Sequence, residues 1–105
     1  MRREWYVYIL ECADGTFYTG MTSDPALRLE EHSSGLDPAA YTFTRRPVNL
    51  VWVQAFPTRD QALAGEHQVK GWSRAKKLAL IREHWDGLHA IVEKEREKRS
   101  RAHSP

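Results

Sequence analysis

The sequence predicts an α/β domain of the α+β kind. Its core is a small three-stranded antiparallel sheet flanked by helices, in the order β-β-α-β-α-α, with a C-terminal helical tail. Three observations carry this. Two aromatic and β-branched runs are separated only by Ala13-Asp14-Gly15, an Asp-Gly hairpin signal. A third apolar run, VNLVWVQAF, follows after an interval of about the length of a helix and a loop. Helix start and stop residues bracket the segments between and after these runs. A chain of 105 residues holds one domain and a tail. The boundary is expected near residue 87, with 1–87 as the domain and 88–105 as a charged helix or tail.

The first strand is expected over Trp5 to Cys12, and its return over Thr16 to Met21. Tyr6 is expected on the sheet face opposite Tyr8. Asp24-Pro25 opens the first helix, with Asp24 as N-cap and Pro25 at the first helical position, where its missing N–H costs nothing. That helix carries Leu27, Arg28, Leu29, Glu31 and His32, and Gly35 ends it. Residues 36–47 read as a loop closed by Arg45-Arg46-Pro47. Val48 to Phe56 is apolar enough to be expected as a central strand. Thr58 and Gln61 make a capping box for a second helix running to about Trp72, with Ala62, Leu63 and Val69 as apolar positions. Ser73 can cap a third helix through Ala75, Leu78, Ala79 and Ile81, broken at Asp86-Gly87. The final segment starts with Leu88, Ile91 and Val92, then becomes EKEREKRSRAHSP, a fraying helix passing into disorder.

Charge is unevenly spread. Residues 1–44 carry three basic side chains against seven acidic ones, whereas residues 45–82 carry eight against two. A basic middle segment attracts phosphates even in a chain whose net charge is only +2. A solvated helix face is the plainer reading of the same charges. Cys12 is the one cysteine, which excludes a disulfide framework and a cysteine zinc site. It is expected to be a buried small hydrophobe. The N-terminal Met-Arg-Arg-Glu-Trp lacks the apolar stretch of a secretory signal, and no apolar run has the length of a membrane span. A soluble cytoplasmic protein without a membrane partner is therefore expected. No glycine-rich phosphate loop is present, which argues against a nucleotide-hydrolysing enzyme.

The polar residues Tyr8, Tyr18, Arg28, His32 and Glu66 form a set that can handle a phosphodiester. A phenol can take a proton if its pKa is lowered, a guanidinium grips a phosphate by two parallel hydrogen bonds, and a carboxylate can carry a divalent metal. Each has a plainer alternative. Glu66 lies on or beside the apolar stripe of its helix, where a carboxylate needs a partner. An ion pair with Lys70 at i+4 would supply one, and a single Mg²⁺, completed by water and phosphate oxygens, would supply another. Arg28 and His32, four apart, project from one helix face. Arg28 suits a phosphate or a surface pair with Asp24 or Glu31, and His32 suits a phosphate contact, a proton relay or a surface position. Tyr8 and Tyr18 can be a catalytic pair or a cross-strand aromatic pair. Lowering a phenol's pKa needs a nearby cation, for which Arg28 and a metal on Glu66 are the candidates. Gly20 either lets a backbone or phosphate approach closely or marks a bend at the strand end.

Taken together, these residues resemble the GIY-YIG nuclease superfamily, and within it the small single-domain bacterial proteins. The resemblance covers about residues 4–82. The first motif stands as Tyr6-Val7-Tyr8 and the second as Tyr18-Thr19-Gly20. The run YTGMTSDPALRLEEHSSG is similar to the family's second strand and first helix, and RRPVNLVWVQAF with EHQVKGWSRAKKLALI to the small-protein subfamily. The resemblance implies metal-dependent hydrolysis of a nucleic-acid phosphodiester. Tyr8 and Tyr18 match the tyrosines that activate or orient the water, Arg28 the arginine on the scissile phosphate, His32 the assisting residue, and Glu66 the single ligand of one Mg²⁺ or Mn²⁺. Tyr6 and Thr19 replace the motif glycine and isoleucine, Met21 stands where some members have a lysine, and no asparagine follows Glu66, where Lys70 can substitute as a phosphate contact.

The expected partner is DNA, single-stranded or branched, with RNA as the open alternative. Gly20, Arg45, Arg46, Lys70, Trp72, Arg74, Lys76 and Lys77 are the expected contacts, since basic and aromatic groups together favour unpaired strands. Trp72 equally suits packing between helices. The competing readings are a non-catalytic nucleic-acid-binding module that has kept the fold, and a protein-interaction domain docking through residues 88–105.

Overall fold

The structure, a computed structural model, describes residues 4–83. The expected break at Asp86-Gly87, the boundary at residue 87 and the tail at 88–105 lie outside the described residues. The elements are β1 (Trp5–Cys12), β2 (Phe17–Thr22), α1 (Pro25–Ser34), β3 (Val48–Phe56), α2 (Arg59–Lys70) and α3 (Arg74–Glu83), with a 3-10 turn at Phe43–Arg45 in the loop before β3. This is the expected order of strands and helices. The sheet is antiparallel throughout with strand order β2-β1-β3.

One expectation is corrected by that order. β3, read as central from its apolar content, lies at an edge, and β1 is the middle strand. The reason is visible in the burial: Val7, Tyr8, Ile9 and Leu10 of β1 are all buried, whereas β3 buries only Val48 and Trp52. An apolar run on an edge strand is covered on one face by helices and needs no second neighbour.

The strand alternation sorts β1 into two cores. Val7 and Ile9 pack with Trp52, and with Ala62 and Val69 of α2; Trp72, Leu80 and Ile81 close the same cluster. Tyr8, Leu10 and Cys12 point to the other face, where Tyr18 and Leu29 of α1 join them. Cys12 is thus the buried small hydrophobe expected. Tyr6 stands two residues before Tyr8 on a continuous strand, so the two-residue period puts both on one face, opposite to the expectation.

The local signals are realised in detail. The side chain of Asp24 accepts from the N–H of Leu27, Pro25 opens α1, and Gly35 closes it at φ 70°, a left-handed conformation open to glycine without strain. The side chain of Thr58 accepts from the N–H of Gln61 at 3.2 Å. α2 ends at Lys70, two residues short of the expected end, because Gly71 caps it and Trp72 turns inward onto the core. Ser73 Oγ accepts from Lys76 N–H at 3.2 Å, which starts α3. The Arg46–Pro47 peptide bond that leads into β3 is cis.

Candidate active site

The site is assembled on the α1 face of the sheet. Tyr8 and Gly20 are directly paired across β1 and β2, and Leu10 pairs with Tyr18. The phenol of Tyr8 lies over Gly20 so closely that a Cβ there would stand 2.5 Å from its hydroxyl oxygen. This corrects the reading of Gly20 as a nucleic-acid contact. Gly20 is buried, and the group whose approach it allows is Tyr8.

α1 supplies Arg28 and His32 from one side, as the four-residue spacing requires. His32 is 6% exposed, which rules out the surface alternative. Its Nε2 lies 3.2 Å from the Tyr8 hydroxyl and its Nδ1 lies 2.6 Å from Oγ1 of Thr42. Both ring nitrogens therefore face protein groups. Burial and the neighbouring Arg28 charge push the His32 pKa down, partly opposed by Glu31. The imidazole is neutral at physiological pH.

The Arg28 guanidinium stands near enough to the Tyr8 hydroxyl to favour its ionisation. It also pairs loosely with Glu31 at 3.8 Å, and its side chain is 44% exposed, so part of its fork is free for a ligand. Tyr8 itself is 3% exposed. Burial raises its pKa to about 12, outweighing the lowering by Arg28, and the charges of Tyr18 and Glu66 add to the rise. Arg28 alone does not bring this phenol toward neutral pH, because desolvation outweighs its charge. Tyr18 is half-buried, with its ring centroid 5.2 Å from His32 and 6.3 Å from Tyr8. Tyr41 lies nearly parallel to it at 6.1 Å, and the Arg45 guanidinium covers the Tyr41 ring at 3.8 Å.

Glu66 comes from the other side of the sheet. α2 turns Ala62 and Val69 onto Val7 and Ile9, yet the Glu66 charge acts on the Tyr8 hydroxyl. Its side chain is 13% exposed and pairs with Lys70 at 3.8 Å, the i+4 contact foreseen as its plainer role. That separation is long for a charge-assisted hydrogen bond, so the carboxylate keeps lone pairs for a hard cation. An oxygen donor of this kind fits Mg²⁺ or Mn²⁺. Among the described residues no group of three or more His, Cys, Asp or Glu could hold a metal ion. A metal on Glu66 would take its other ligands from water and phosphate.

The basic residues divide by employment. Arg45 pairs with Asp14 at 3.2 Å and donates to the Tyr41 carbonyl at 2.8 Å. Arg46 donates to the Phe43 carbonyl at 2.9 Å and lies over the Phe43 ring. Arg74 bonds the Gly15 carbonyl and covers Phe17, which fastens α3 to the hairpin tip. Lys76 sits 4.2 Å over the Trp72 ring, and Trp72 packs on the Val7–Ile9 cluster, the interhelical role weighed for it. Lys77 is half-buried, and burial with the nearby Lys70 charge pushes its pKa down. Arg45, Arg46 and Arg74 are thus each held by more than one contact, and Lys76 by the Trp72 ring.

Thr42 is the residue that sequence reasoning missed. It sits in the irregular loop before β3 and is 1% exposed. With Arg28, His32, Gly35, Leu36 and Phe43 it lines a cavity of about 50 Å³ between α1 and that loop. No periodicity marks a buried threonine in a loop, so no local signal could have found it.

Comparison with known proteins agrees with this geometry. The GIY-YIG catalytic domain model matches residues 4–79. A UPF0213 protein of Desulfotalea psychrophila is 42% identical over 90 residues, covering 86% of this chain and 82% of that one. A UPF0213 protein of Staphylococcus aureus is 45% identical over 78 residues, covering 74% and 94%. The solution NMR structure of an E. faecalis protein superposes with a TM-score of 0.52 at 37% identity, covering 83% of this chain and 88% of that one. Among the described residues no helix is long and apolar enough to cross a membrane.

Proposed function

The chain belongs to the GIY-YIG family, and on that premise we propose that it is a divalent-metal-dependent endonuclease that hydrolyses phosphodiester bonds of single-stranded or branched DNA. The observation that carries the reading is the Tyr8 hydroxyl. It is buried and lies 3.2 Å from His32 Nε2, and the charges of Arg28 and Glu66 bear on its ionisation.

Each residue then has one task. Arg28 presents its guanidinium fork to a non-bridging phosphate oxygen, where charge grows as water attacks phosphorus. Tyr8 and Tyr18 flank the attacking water and orient it. A phenol takes the water's proton only as its anion, so Tyr8 must first lose its own proton to solvent, a step that Arg28 and a cation on Glu66 would favour. Glu66 would hold the Mg²⁺ or Mn²⁺ ion. When bound there, the ion supplies Lewis-acid polarisation of the phosphoryl group and charge for the departing oxygen. Lys70, paired with Glu66 and exposed, would contact a second phosphate of the strand. Arg45, Arg46, Arg74, Lys76 and Lys77 supply the less specific attraction to the backbone.

The test is a cleavage assay of wild type and Glu66→Ala on labelled single-stranded, duplex and branched DNA and on RNA, with Mg²⁺, Mn²⁺ or EDTA. Cutting that needs the metal and disappears in Glu66→Ala supports the reading. Binding without cutting by both proteins replaces it with a nucleic-acid-binding module.

A further inference from the structure

A single strand is held best where basic groups stand beside an aromatic ring. Trp72, the ring expected for this, is turned onto the Val7–Ile9 cluster. Among the described residues the exposed large apolar side chains are Leu27, Leu36 and Tyr41, and of these Tyr41 alone is aromatic, at 42% exposure. It lies against the site. Its ring is nearly parallel to that of Tyr18, at 20° and 6.1 Å between centroids. Tyr18 in turn stands 5.2 Å from His32 and 6.3 Å from Tyr8. From the buried phenol of Tyr8 the rings thus lead outward through half-buried Tyr18 to exposed Tyr41.

The Tyr41 ring is held where it stands. Thr42, the next residue, is buried, and its Oγ1 lies 2.6 Å from His32 Nδ1. Arg45 lies 3.8 Å over the Tyr41 ring, donates to the Tyr41 carbonyl at 2.8 Å and pairs with Asp14 of the hairpin turn at 3.2 Å. Two backbone bonds of 3.0 Å, from Phe43 N–H to the Ala40 carbonyl and from Arg45 N–H to the Thr42 carbonyl, stiffen the same segment. A ring fixed in advance loses little freedom when a ligand covers it. Thr42 also lines, together with Arg28, the cavity between α1 and this loop. Tyr41 therefore neighbours both Tyr18 and the loop residue that shares a cavity with the arginine assigned to the phosphate.

We propose that Tyr41 is a substrate-binding residue that stacks on one unpaired base of the strand, in a nucleotide next to the phosphate on Arg28. Every base has a flat π face, so such stacking accepts any sequence. In a duplex the faces of a base are covered by its neighbours in the stack, so the ring reaches only an unpaired base. Arg45 beside it supplies positive charge for the adjoining phosphate. Tyr41 thereby selects single-stranded or branched DNA over plain duplex. This rests on the reading of the chain as a nucleic-acid enzyme, and it is independent of which group takes the proton from water. The plainer role of Tyr41, to cover Tyr18, needs apolar bulk but not a flat ring.

The experiment uses the full chain as wild type, Tyr41→Phe and Tyr41→Leu. Binding to a labelled mixed-sequence DNA single strand and to the matching duplex is read by fluorescence anisotropy, in EDTA at one fixed salt concentration. Tyr41→Phe should bind the single strand like wild type, and Tyr41→Leu on the order of 10-fold more weakly, with duplex binding equal in all three. In wild type the Tyr41 ring protons should move upfield in NMR spectra as single strand is added, the sign of a base lying on the ring. Equal single-strand affinity of Tyr41→Leu and wild type, an equal loss on duplex, unmoved ring protons, or no single-strand binding by wild type each overturns the proposal. The ring protons alone decide it if Tyr41→Leu does not fold. In the cleavage assay Tyr41→Leu should raise KM for single strands and leave kcat little changed. If wild type binds as expected but cuts nothing with Mg²⁺ or Mn²⁺, the Tyr41 assignment stands and the nuclease reading falls. If wild type cuts single strands and Tyr41→Leu cuts them with the same KM, the nuclease reading stands and the Tyr41 assignment falls.

Discussion

Replacing Gly20 by alanine adds one methyl group under the Tyr8 ring. That Cβ would stand 2.5 Å from the hydroxyl oxygen, 2.6 Å from Cζ and 3.1 Å from Cε1. Carbon contacts relax only beyond about 3.5 Å, so the end of the ring must move by about 1 Å. Tyr8 is 3% exposed and bonded to His32, so moving the ring disturbs the packing around it. Overpacking of this kind costs about 1–3 kcal/mol. With a urea slope of about 1 kcal/mol/M for so small a domain, the unfolding midpoint should fall by about 1–3 M at unchanged slope. The displacement also separates the phenol from Nε2 of His32, and a misplacement of about 1 Å can cost about 100-fold in rate. The assay is urea unfolding by tryptophan fluorescence, with the cleavage assay alongside. Gly71→Ala is the control. Its nearest atoms are carbonyl oxygens at 3.6 Å and its φ is −81°, so it should be neutral or slightly stabilising. A Gly20→Ala protein as stable as wild type, with the His32 ring signals unmoved, would refute the close packing of Tyr8 on Gly20 on which the site is built.

Further outcomes follow from the same contacts. Thr58→Ala removes the acceptor for the Gln61 N–H and should cost about 1 kcal/mol, read as a lower urea midpoint. Tyr8 holds its proton more tightly in the folded state, with a pKa of about 12 against 10.0 when unperturbed. Stability should therefore fall as pH rises past 10, and absorbance titration should show one phenol ionising near 12 that Tyr8→Phe lacks. His32 has the opposite dependence. Its pKa is depressed below 6.5, so the unfolded chain takes up the proton first and stability drops as pH falls through 6.5. Urea midpoints between pH 7 and 5 test this, with His32→Gln expected to lack the step.

Most of the fold is legible in the sequence because its signals are local. Asp24 with Pro25, Gly35, Thr58 with Gln61, and Ser73 each act within one turn of backbone, and all four helix boundaries they mark are present. Arg28 and His32 share a face because a helix repeats every 3.6 residues. Glu66 stands out as a charge on an apolar stripe, and its side chain is indeed mostly covered. The edge position of β3 is not legible, because apolar content reports coverage by helices as well as by strands.

What the sequence determined by itself is therefore the set of elements, their order, and the five side chains that the GIY-YIG resemblance joins. Tertiary structure decided what those side chains do to one another. Only packing brings Gly20 under Tyr8, and only burial lets desolvation outweigh Arg28 at that phenol. Only the path of the loop before β3 carries Thr42 to the far nitrogen of His32. Hydrogen-bond direction and ionisation depend on distances between atoms far apart in the chain and on the water excluded around them, and neither quantity is written in local sequence.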